Sequence, residues 1–155
     1  MLSLITAMKD LPLEQLLSIY QDSLSDKNQQ HVAQWDFLEY LREDFFPSGG
    51  IYALWKEDNT YTSAVRILPW KDGVLLAGLE TAPELRRRGC ARSLVQAVCA
   101  NLLEAGSSPI YAHIAKRNHP SRMLHQSCGF SVISDTGTLL DGTVSSKYIT
   151  VVYNG

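Results

Sequence analysis

A glycine preceded by three arginines stands where a predicted strand gives way to a predicted helix, and these residue types suit anion binding. The run reads Arg86-Arg87-Arg88-Gly89-Cys90-Ala91 and continues with Arg92. The first amide groups of a helix have no partner within the helix, and the helix dipole adds positive potential. A glycine lets a phosphate approach the backbone closely, and arginines add fork-shaped donors. The run predicts a pyrophosphate-binding turn; the alternative is an ordinary solvated charge cluster.

The familiar catalytic and phosphate-binding fingerprints do not fit this chain. It has no G-x-x-x-x-G-K-[ST] and no G-x-G-x-x-G, and no G-x-S-x-G nucleophile elbow. Its four histidines and three cysteines lack the spacing of metal ligands, so we predict no metal site. Cys90 is interpreted as lining the turn. His113 is interpreted as a hydrogen-bonded core residue, the alternative being a pocket-lining role.

The elements that position these residues follow from apolar periodicity and from turn residues. Between the first two helices, the polar stretch 25–30 breaks the helical pattern. Turns are predicted at 57–60 and 71–73, the latter containing Asp-Gly. The resulting order is β-α-α-β-β-β-α-β-α-β-β, an α/β arrangement. The predicted strands are 2–6, 51–56, 61–68, 74–81, 109–115, 129–134 and 147–153, and the predicted helices are 13–24, 32–45, 89–105 and 120–128.

Length and composition favour one domain over residues 1–155, since 155 residues that are 45% hydrophobic can bury a full core. A formal net charge of −2 argues against a general nucleic-acid binder. We see no secretory signal and no apolar run long enough to span a bilayer. Together with reduced cysteines, this predicts a cytoplasmic protein without a membrane partner.

Two segments together resemble the GNAT superfamily of N-acetyltransferases. The turn at 86–91 matches the acetyl-CoA signature [QR]-x-x-G-x-[GA]. After the next strand, such enzymes often carry N-x-x-A-x-x-L-Y-x-x-x-G-F, and residues 118–130 match it at Asn118, Leu124, Gly129 and Phe130. Ser121 replaces one small residue with another. The resemblance covers about 74–130 strongly, while the flanks agree only in element order.

The resemblance implies a single-domain GNAT-like fold with a mixed sheet of about six to seven strands flanked by about four helices. It implies acetyl-CoA as acyl-donor cosubstrate, with the pantetheine arm in a gap between strands 74–81 and 109–115. The backbone of Leu79 to Thr81 would bind pantetheine and the thioester carbonyl, and amides of residues 87–92 would hold the pyrophosphate. Asn118 and Ser121 would contact the cofactor from the opposite wall. Asn118 is also suited to cap the helix after it.

Direct transfer to an amine requires a base, because an alkyl ammonium has a pKa near 10.4. Glu80 is the one carboxylate in the strand that lines the implied site, so we predict it as the base; the alternative is a rim carboxylate. The family usually places tyrosine, as acid, where this chain has His125. We predict His125 as the acid, with protonation of the thiolate by solvent as the alternative.

The acceptor is left open among a small amine, an amino acid, a polyamine, an aminoglycoside and a protein N-terminus. The resemblance also leaves a homodimer open. Two other functions remain at this point. One is a non-catalytic CoA-binding sensor or subunit, suggested by the missing tyrosine. The other is a regulator that binds a phosphate or nucleotide at the same turn.

Overall fold

Nine strands and five α-helices are described by the computed structural model, which covers residues 1–25, 30–139 and 141–155. The strands are β1 (Leu2–Ile5), β2 (Ile51–Glu57), β3 (Thr60–Trp70), β4 (Gly73–Thr81), β5 (Ile110–Ala115), β6 (Phe130–Ser134), β7 (Gly137–Thr138), β8 (Val144–Ser145) and β9 (Tyr148–Tyr153). The helices are α1 (Leu13–Ile19), α2 (Gln21–Leu24), α3 (Gln30–Tyr40), α4 (Cys90–Glu104) and α5 (His119–Ser127).

Seven of these strands form one mixed sheet in the order β1-β2-β3-β4-β5-β9-β6. All neighbours are antiparallel except β4 and β5, which are parallel and are joined through α4. The short strands β7 and β8 pair separately. The mixed α/β fold expected from the sequence is therefore confirmed.

Tight turns connect the three strands β2, β3 and β4, which precede the arginine-rich turn at 86–91. Glu57 pairs with Thr60, and Trp70 pairs with Gly73, so each hairpin closes through two residues. The first turn residues, Asp58 and Lys71, have positive φ angles of 55° and 49°. Such turns match the right-handed twist of the paired strands. Both predicted turns lie at these hairpins.

Two apolar clusters lie on opposite faces of the sheet. On one face α4 packs its apolar stripe, including Leu94, Val98 and Leu102, against β2, β3 and β4. The i, i+4, i+8 spacing of these residues places them on one side of the helix. On the other face α1 and the segment after α3 cover the sheet, with Leu16, Phe45 and other buried residues. Alternate residues of the strands therefore belong to different clusters, which shows on which face of the sheet each side chain lies.

Strands β4 and β5 pair along only part of their length. Residues 74–76 pair with 110–112, yet β4 continues to Thr81 and β5 to Ala115. The register of β4 against β3 shifts between Ala64 and Arg66. Gly78, on the β4 side of this irregularity, has a φ of 65°, which glycine adopts without steric cost. A bulge of this kind bends a strand, and the two parallel strands part beyond it.

The elements depart from the predicted ones in a few places. The first predicted helix is divided at Tyr20 into α1 and α2, and the second ends in a π-helical turn over Leu41–Phe45. The pair β7 and β8 was not predicted, because two-residue strands leave no periodic signal. The predicted break at 25–30 lies largely outside the described residues. Over the described chain, no helix has the length and apolar character needed to cross a membrane.

Candidate functional site

A cleft of about 570 Å³ opens where β4 and β5 part. One wall is the end of β4 with the following turn and the start of α4, and the opposite wall is the start of α5. The lining residues are Leu79, Glu80, Thr81, Leu85, Arg86, Arg87, Gly89, Cys90, Ala91, Arg92, Asn118, Pro120, Ser121 and Leu124. The structure therefore brings together all the predicted site residues except Arg88 and His125.

Gly89 is the N-cap of α4 and has a left-handed conformation with φ 79°. A Cβ added there would meet no atom within 4 Å, so the space in front of the turn is open. Arg87 also has a positive φ of 65°, which costs an arginine more than a glycine. The turn thus presents the free amides at the start of a 15-residue helix to the cleft.

The side chains of the three consecutive arginines lie in different surroundings. Arg86 forms an ion pair with Asp22 of α2 at 2.7 Å, and its Nε donates to the backbone oxygen of Thr81 at 3.3 Å. Arg87 lies in the cleft lining. Arg88 instead lines a neighbouring pocket with Glu57 and other residues of the β2–β3 hairpin. The structure therefore does not place Arg88 with the other predicted cofactor-binding residues.

The opposite wall is organised by the start of α5. Asn118 caps this helix, since its Oδ1 accepts a hydrogen bond from the amide of Ser121 at 3.2 Å. Pro120 occupies the first turn, where its missing N–H costs nothing. Asn118 and Ser121 both line the cleft, so the capping interaction coexists with exposure to the site.

His125 lies one turn further along α5 and is 4% exposed. It does not line the cleft. Its Nδ1 donates to the backbone oxygen of Ser121 at 2.8 Å, and its ring packs edge-on against Phe130. Burial lowers the pKa of His125, which favours the neutral imidazole. The structure therefore places His125 behind the wall of the cleft and outside its lining.

Glu80 projects from β4 into the cleft and towards α2. The hydroxyl of Ser23 donates to its Oε1, and its Oε2 is buried with no hydrogen-bond partner among the described residues. Burial raises the pKa of Glu80, against the lowering effects of the Ser23 hydrogen bond and of Arg86. A carboxylate with one uncommitted oxygen and a raised pKa is suited to accept a proton near neutral pH.

A second charge lies on the same face of the sheet. The Arg66 guanidinium of β3 sits among four aromatic rings at 5.7 to 6.0 Å from their centroids: Tyr20, Phe37, Tyr40 and Tyr52. Its Nη1 donates to the hydroxyl of Tyr52 at 3.2 Å. The negative faces of the rings stabilise a cation that has little contact with water.

Sequence reasoning missed several residues around Glu80. Ser23 contacts its carboxylate, Asp22 pairs with Arg86, and the hydroxyl of Tyr20 donates to the backbone oxygen of Gly78. These residues belong to α2 and to its junction with α1, and Ser23 is 57 residues away from Glu80 in the chain. No local motif marks them, because only the packing of α2 over the sheet brings them to the site. Within the described residues, no group of three His, Cys, Asp or Glu is arranged to hold a metal ion.

Comparisons with known proteins agree on one family. The model of the acetyltransferase (GNAT) family matches residues 13–130. The structure is similar to the PaiA N-acetyltransferase from Thermoplasma acidophilum in complex with coenzyme A, with a TM-score of 0.70 and 11% identity, covering 99% of this chain and 98% of that one.

Two further solved structures have the same fold. The ribosomal-protein-S18-alanine N-acetyltransferase from Escherichia coli matches with a TM-score of 0.66 and 14% identity over 99% of this chain and 93% of that chain. A GNAT family acetyltransferase from Elizabethkingia anophelis with acetyl-CoA bound matches with a TM-score of 0.66 and 16% identity, covering 99% and 96%. A comparison with curated proteins finds no significant match.

Proposed function

The chain belongs to the GNAT family of acetyltransferases, and from this premise we propose that it binds acetyl-CoA and transfers the acetyl group directly to a primary amine of a small molecule or peptide. The observation that carries the proposal is the cleft itself. It joins an open phosphate-binding turn at Gly89 to a gap between two parallel strands, with Glu80 on its wall.

The residues of the turn fit a pyrophosphate. The amides of residues 87–92 and the dipole of α4 supply positive potential without a carboxylate among the cleft-lining residues of the turn. Arg87 and Arg92 add charge at the rim, and Arg86 lines the cleft with its charge balanced by Asp22. Arg88 is left out of this group because it lines the neighbouring pocket.

The gap between β4 and β5 fits an extended polar arm. Beyond Leu76, the backbone of β4 has no β5 partner within the described residues. The backbone groups of Leu79 and the amide of Thr81 are therefore available to a ligand, while the Thr81 oxygen already accepts a hydrogen bond from Arg86. Backbone N–H and C=O groups without a partner in the sheet can form hydrogen bonds with a bound ligand. Asn118 and Ser121 offer polar atoms from the opposite wall.

When bound, acetyl-CoA supplies the thioester carbonyl that an amine attacks. The nitrogen–carbon bond forms, the carbon–sulfur bond breaks, and the amine loses one proton. We assign that proton to the uncommitted Oε2 of Glu80, directly or through one water. Burial raises the pKa of this carboxyl group, which brings the base closer to the pH at which it works.

The departing thiolate also needs a proton. His125 is buried, and its Nδ1 proton is held by the carbonyl of Ser121. We therefore assign the proton to solvent and give His125 a positioning role: it fixes the first turn of α5, which carries Asn118 and Ser121.

The proposed domain spans residues 1–155. The matched segment ends at residue 130, but β6 and β9 beyond it, and β1 before it, complete the same sheet. The cytoplasmic location and the homodimer stay predictions.

Calorimetry with acetyl-CoA tests the proposal first. We expect micromolar binding with one site per chain, followed by release of free thiol when amines are added. Absence of binding up to about 1 mM acetyl-CoA would refute the cofactor assignment. A Kd of about 1 mM corresponds to a binding free energy of roughly −4 kcal/mol. Binding without thiol release from any amine would favour a CoA-binding sensor or subunit instead.

A further inference from the structure

Glu80 lies on the face of the sheet that a regular strand would not give it. Leu76 belongs to the apolar cluster under α4, and side chains alternate between the two faces of a strand. Residue 80, four positions further on, would therefore face α4 as well. Instead Glu80 pairs with Ala64 of the cluster under α1, and Leu79 packs against the cluster under α4. The alternation of β4 is thus reversed before Leu79.

A bulge in β4 causes this reversal. The register sets one residue of β3, Val65, against two residues of β4, Gly78 and Leu79. An extra residue of this kind moves the side chains that follow it to the other face of the sheet. Gly78 has a φ of 65°, the left-handed conformation that a bulge of this type requires at its first residue. The direction of the Glu80 side chain therefore depends on the bulge.

The hydroxyl of Tyr20 is bonded to the bulge. It donates a hydrogen bond to the backbone oxygen of Gly78. A bulge disrupts the ladder of the sheet locally, and a side-chain donor can satisfy a backbone oxygen that the ladder leaves free. Burial raises the pKa of Tyr20 well above its ordinary value, so the hydroxyl keeps its proton and remains a donor at neutral pH.

Tyr20 is itself held in place. It lies at the junction of α1 and α2 and is 4% exposed. Its ring packs against Phe37 and Tyr52, at 5.3 and 6.3 Å between centroids. Three positions further along the same segment, Ser23 donates to the carboxylate of Glu80. One short segment of the chain therefore contacts both the bulge and the side chain that the bulge directs.

We propose that Tyr20 is a positioning residue for the acetyl transfer: its hydroxyl holds the bulge of β4 and so keeps the Glu80 carboxylate at the cleft. This inference rests on the proposed function, in which Glu80 is the base. Tyr20 does not line the cleft, so it acts through Glu80 and not on acetyl-CoA or the amine. Without the hydroxyl, β4 can leave the bulged register, and Glu80 then faces the cleft for less of the time.

Tyr20→Phe removes the hydroxyl and keeps the ring. We expect kcat near neutral pH to fall by about tenfold, the effect of losing one buried hydrogen bond. The affinity for acetyl-CoA, measured by calorimetry, should stay within about twofold of the unmodified chain. Tyr40→Phe is the matched control, because Tyr40 and Tyr20 surround the same Arg66 guanidinium. The Tyr40 hydroxyl forms no hydrogen bond with β4 in the described part of the chain, so kcat should not change.

A double-mutant cycle separates positioning from a general loss of folded protein. If Tyr20 acts through Glu80, Tyr20→Phe should lower kcat by less than about twofold when Glu80→Gln is already present. A merely structural role would lower kcat by the same factor in both backgrounds. That equal factor, or an unchanged kcat in Tyr20→Phe alone, would overturn the proposal.

A second readout does not depend on turnover. NMR follows the carboxyl carbon of Glu80 in a chain labelled with ¹³C-glutamate, and Glu80→Gln assigns the signal. Burial raises the pKa of Glu80 in the unmodified chain. In Tyr20→Phe we expect this pKa to fall towards the value of a carboxyl group in water, because the side chain leaves its buried position. Tyr40→Phe should leave the pKa of Glu80 unchanged.

The charged groups that face Glu80 are Asp22, Arg86 and Arg66, and they are the same in all of these variants. A Glu80 pKa that is identical in the unmodified chain and in Tyr20→Phe overturns the inference, whether or not any amine is acetylated. A pKa that falls as expected, in a chain that acetylates no amine, supports the positioning of Glu80 by Tyr20 and refutes the proposed function alone.

Discussion

Burial and hydrogen bonding act in opposite directions on the carboxyl group of Glu80. Burial raises its pKa, while the Ser23 hydroxyl and the Arg86 charge lower it. The burial effect is the larger, so the group holds its proton more tightly than a carboxyl in water. As the pH falls through this raised pKa, the carboxylate becomes protonated and can no longer act as a base, so the activity of the enzyme should fall.

Replacing Glu80 with glutamine removes the proton acceptor and keeps the shape of the side chain. We expect kcat near neutral pH to fall by about a hundredfold, the usual contribution of a positioned base. The difference in kcat between the variant and the unmodified chain should become smaller as the pH approaches the amine pKa near 10.4. At that pH much of the amine is already unprotonated, so activity depends less on a base. The pH dependence of kcat/KM measures both effects.

Glu84 provides the matched control, since it is exposed in the turn Pro83–Leu85 and does not line the cleft. Glu84→Gln should leave the pH profile unchanged. Both variants should bind acetyl-CoA as the unmodified chain does. Full activity of Glu80→Gln at neutral pH would remove Glu80 as the base.

Ser23→Ala tests the hydrogen bond to Glu80. The Ser23 hydroxyl stabilises the ionised carboxylate and so lowers its pKa. Without it the pKa of Glu80 should rise further, and the acid limb of the pH–rate profile should move to higher pH. Ser18→Ala is the control, because Ser18 lies in α1 and its hydroxyl donates to the backbone oxygen of Glu14 in the same helix. An acid limb that moves in neither variant, or equally in both, argues against this coupling.

At the scale of elements, α4 carries a glycine at each end in the same backbone conformation. Gly89 and Gly106 have φ angles of 79° and 74°, and a Cβ at either would meet no atom within 4 Å. An alanine at each position is therefore strained by the left-handed conformation alone, at a cost of about 1 kcal/mol.

This symmetry makes Gly89→Ala and Gly106→Ala a matched pair. We expect both to lower the free energy of unfolding by about 1 kcal/mol. Only Gly89→Ala should weaken acetyl-CoA binding, by about tenfold, since its methyl group enters the space assigned to the pyrophosphate. Denaturant unfolding and calorimetry report the two effects. Equal loss of affinity in both variants would indicate a global effect and contradict the phosphate assignment.

The elements that carry strong local signals were predicted well. The spacing of Leu94, Val98 and Leu102 indicates α4, and the Asp72-Gly73 turn indicates the β3–β4 hairpin. The division at Tyr20 and the π-helical turn before Phe46 were not predictable. Both adjust helices to the sheet beneath them, and such adjustments depend on packing rather than on local propensity.

At the scale of the whole molecule, the last strand of the chain lies inside the sheet. β9 separates β5 from β6, and Ile149 and Val151 belong to the core. A chain that stops after Lys147 lacks both pairings, so we expect no cooperative unfolding in a thermal melt. A chain that begins at Thr6 loses only the edge strand β1 and should melt cooperatively at a lower Tm. A cooperative melt without β9 would show that β1–β5 fold alone.

Most residues that line the cleft could be predicted because they lie in two short segments. Residues 79–92 and 118–121 are close in sequence to the strands that position them. The environment of Glu80 was not predictable, since Ser23, Asp22 and Arg66 come from distant elements. The burial of His125 was equally hidden, because a helix position does not reveal which neighbours cover it.

The guanidinium of Arg66 occupies the space that a side chain at residue 78 would need. A Cβ on Gly78 would lie 2.6 Å from its Nη2 atom, so the two positions share one volume. A side chain at position 78 must displace this guanidinium from its aromatic surroundings, in addition to the strain of the positive φ angle, so the effect of a substitution at 78 should depend on the residue at 66. Gly78→Ala should therefore cost less stability in an Arg66→Ala background than in the unmodified chain, and part of the cost should remain because the φ angle is unchanged.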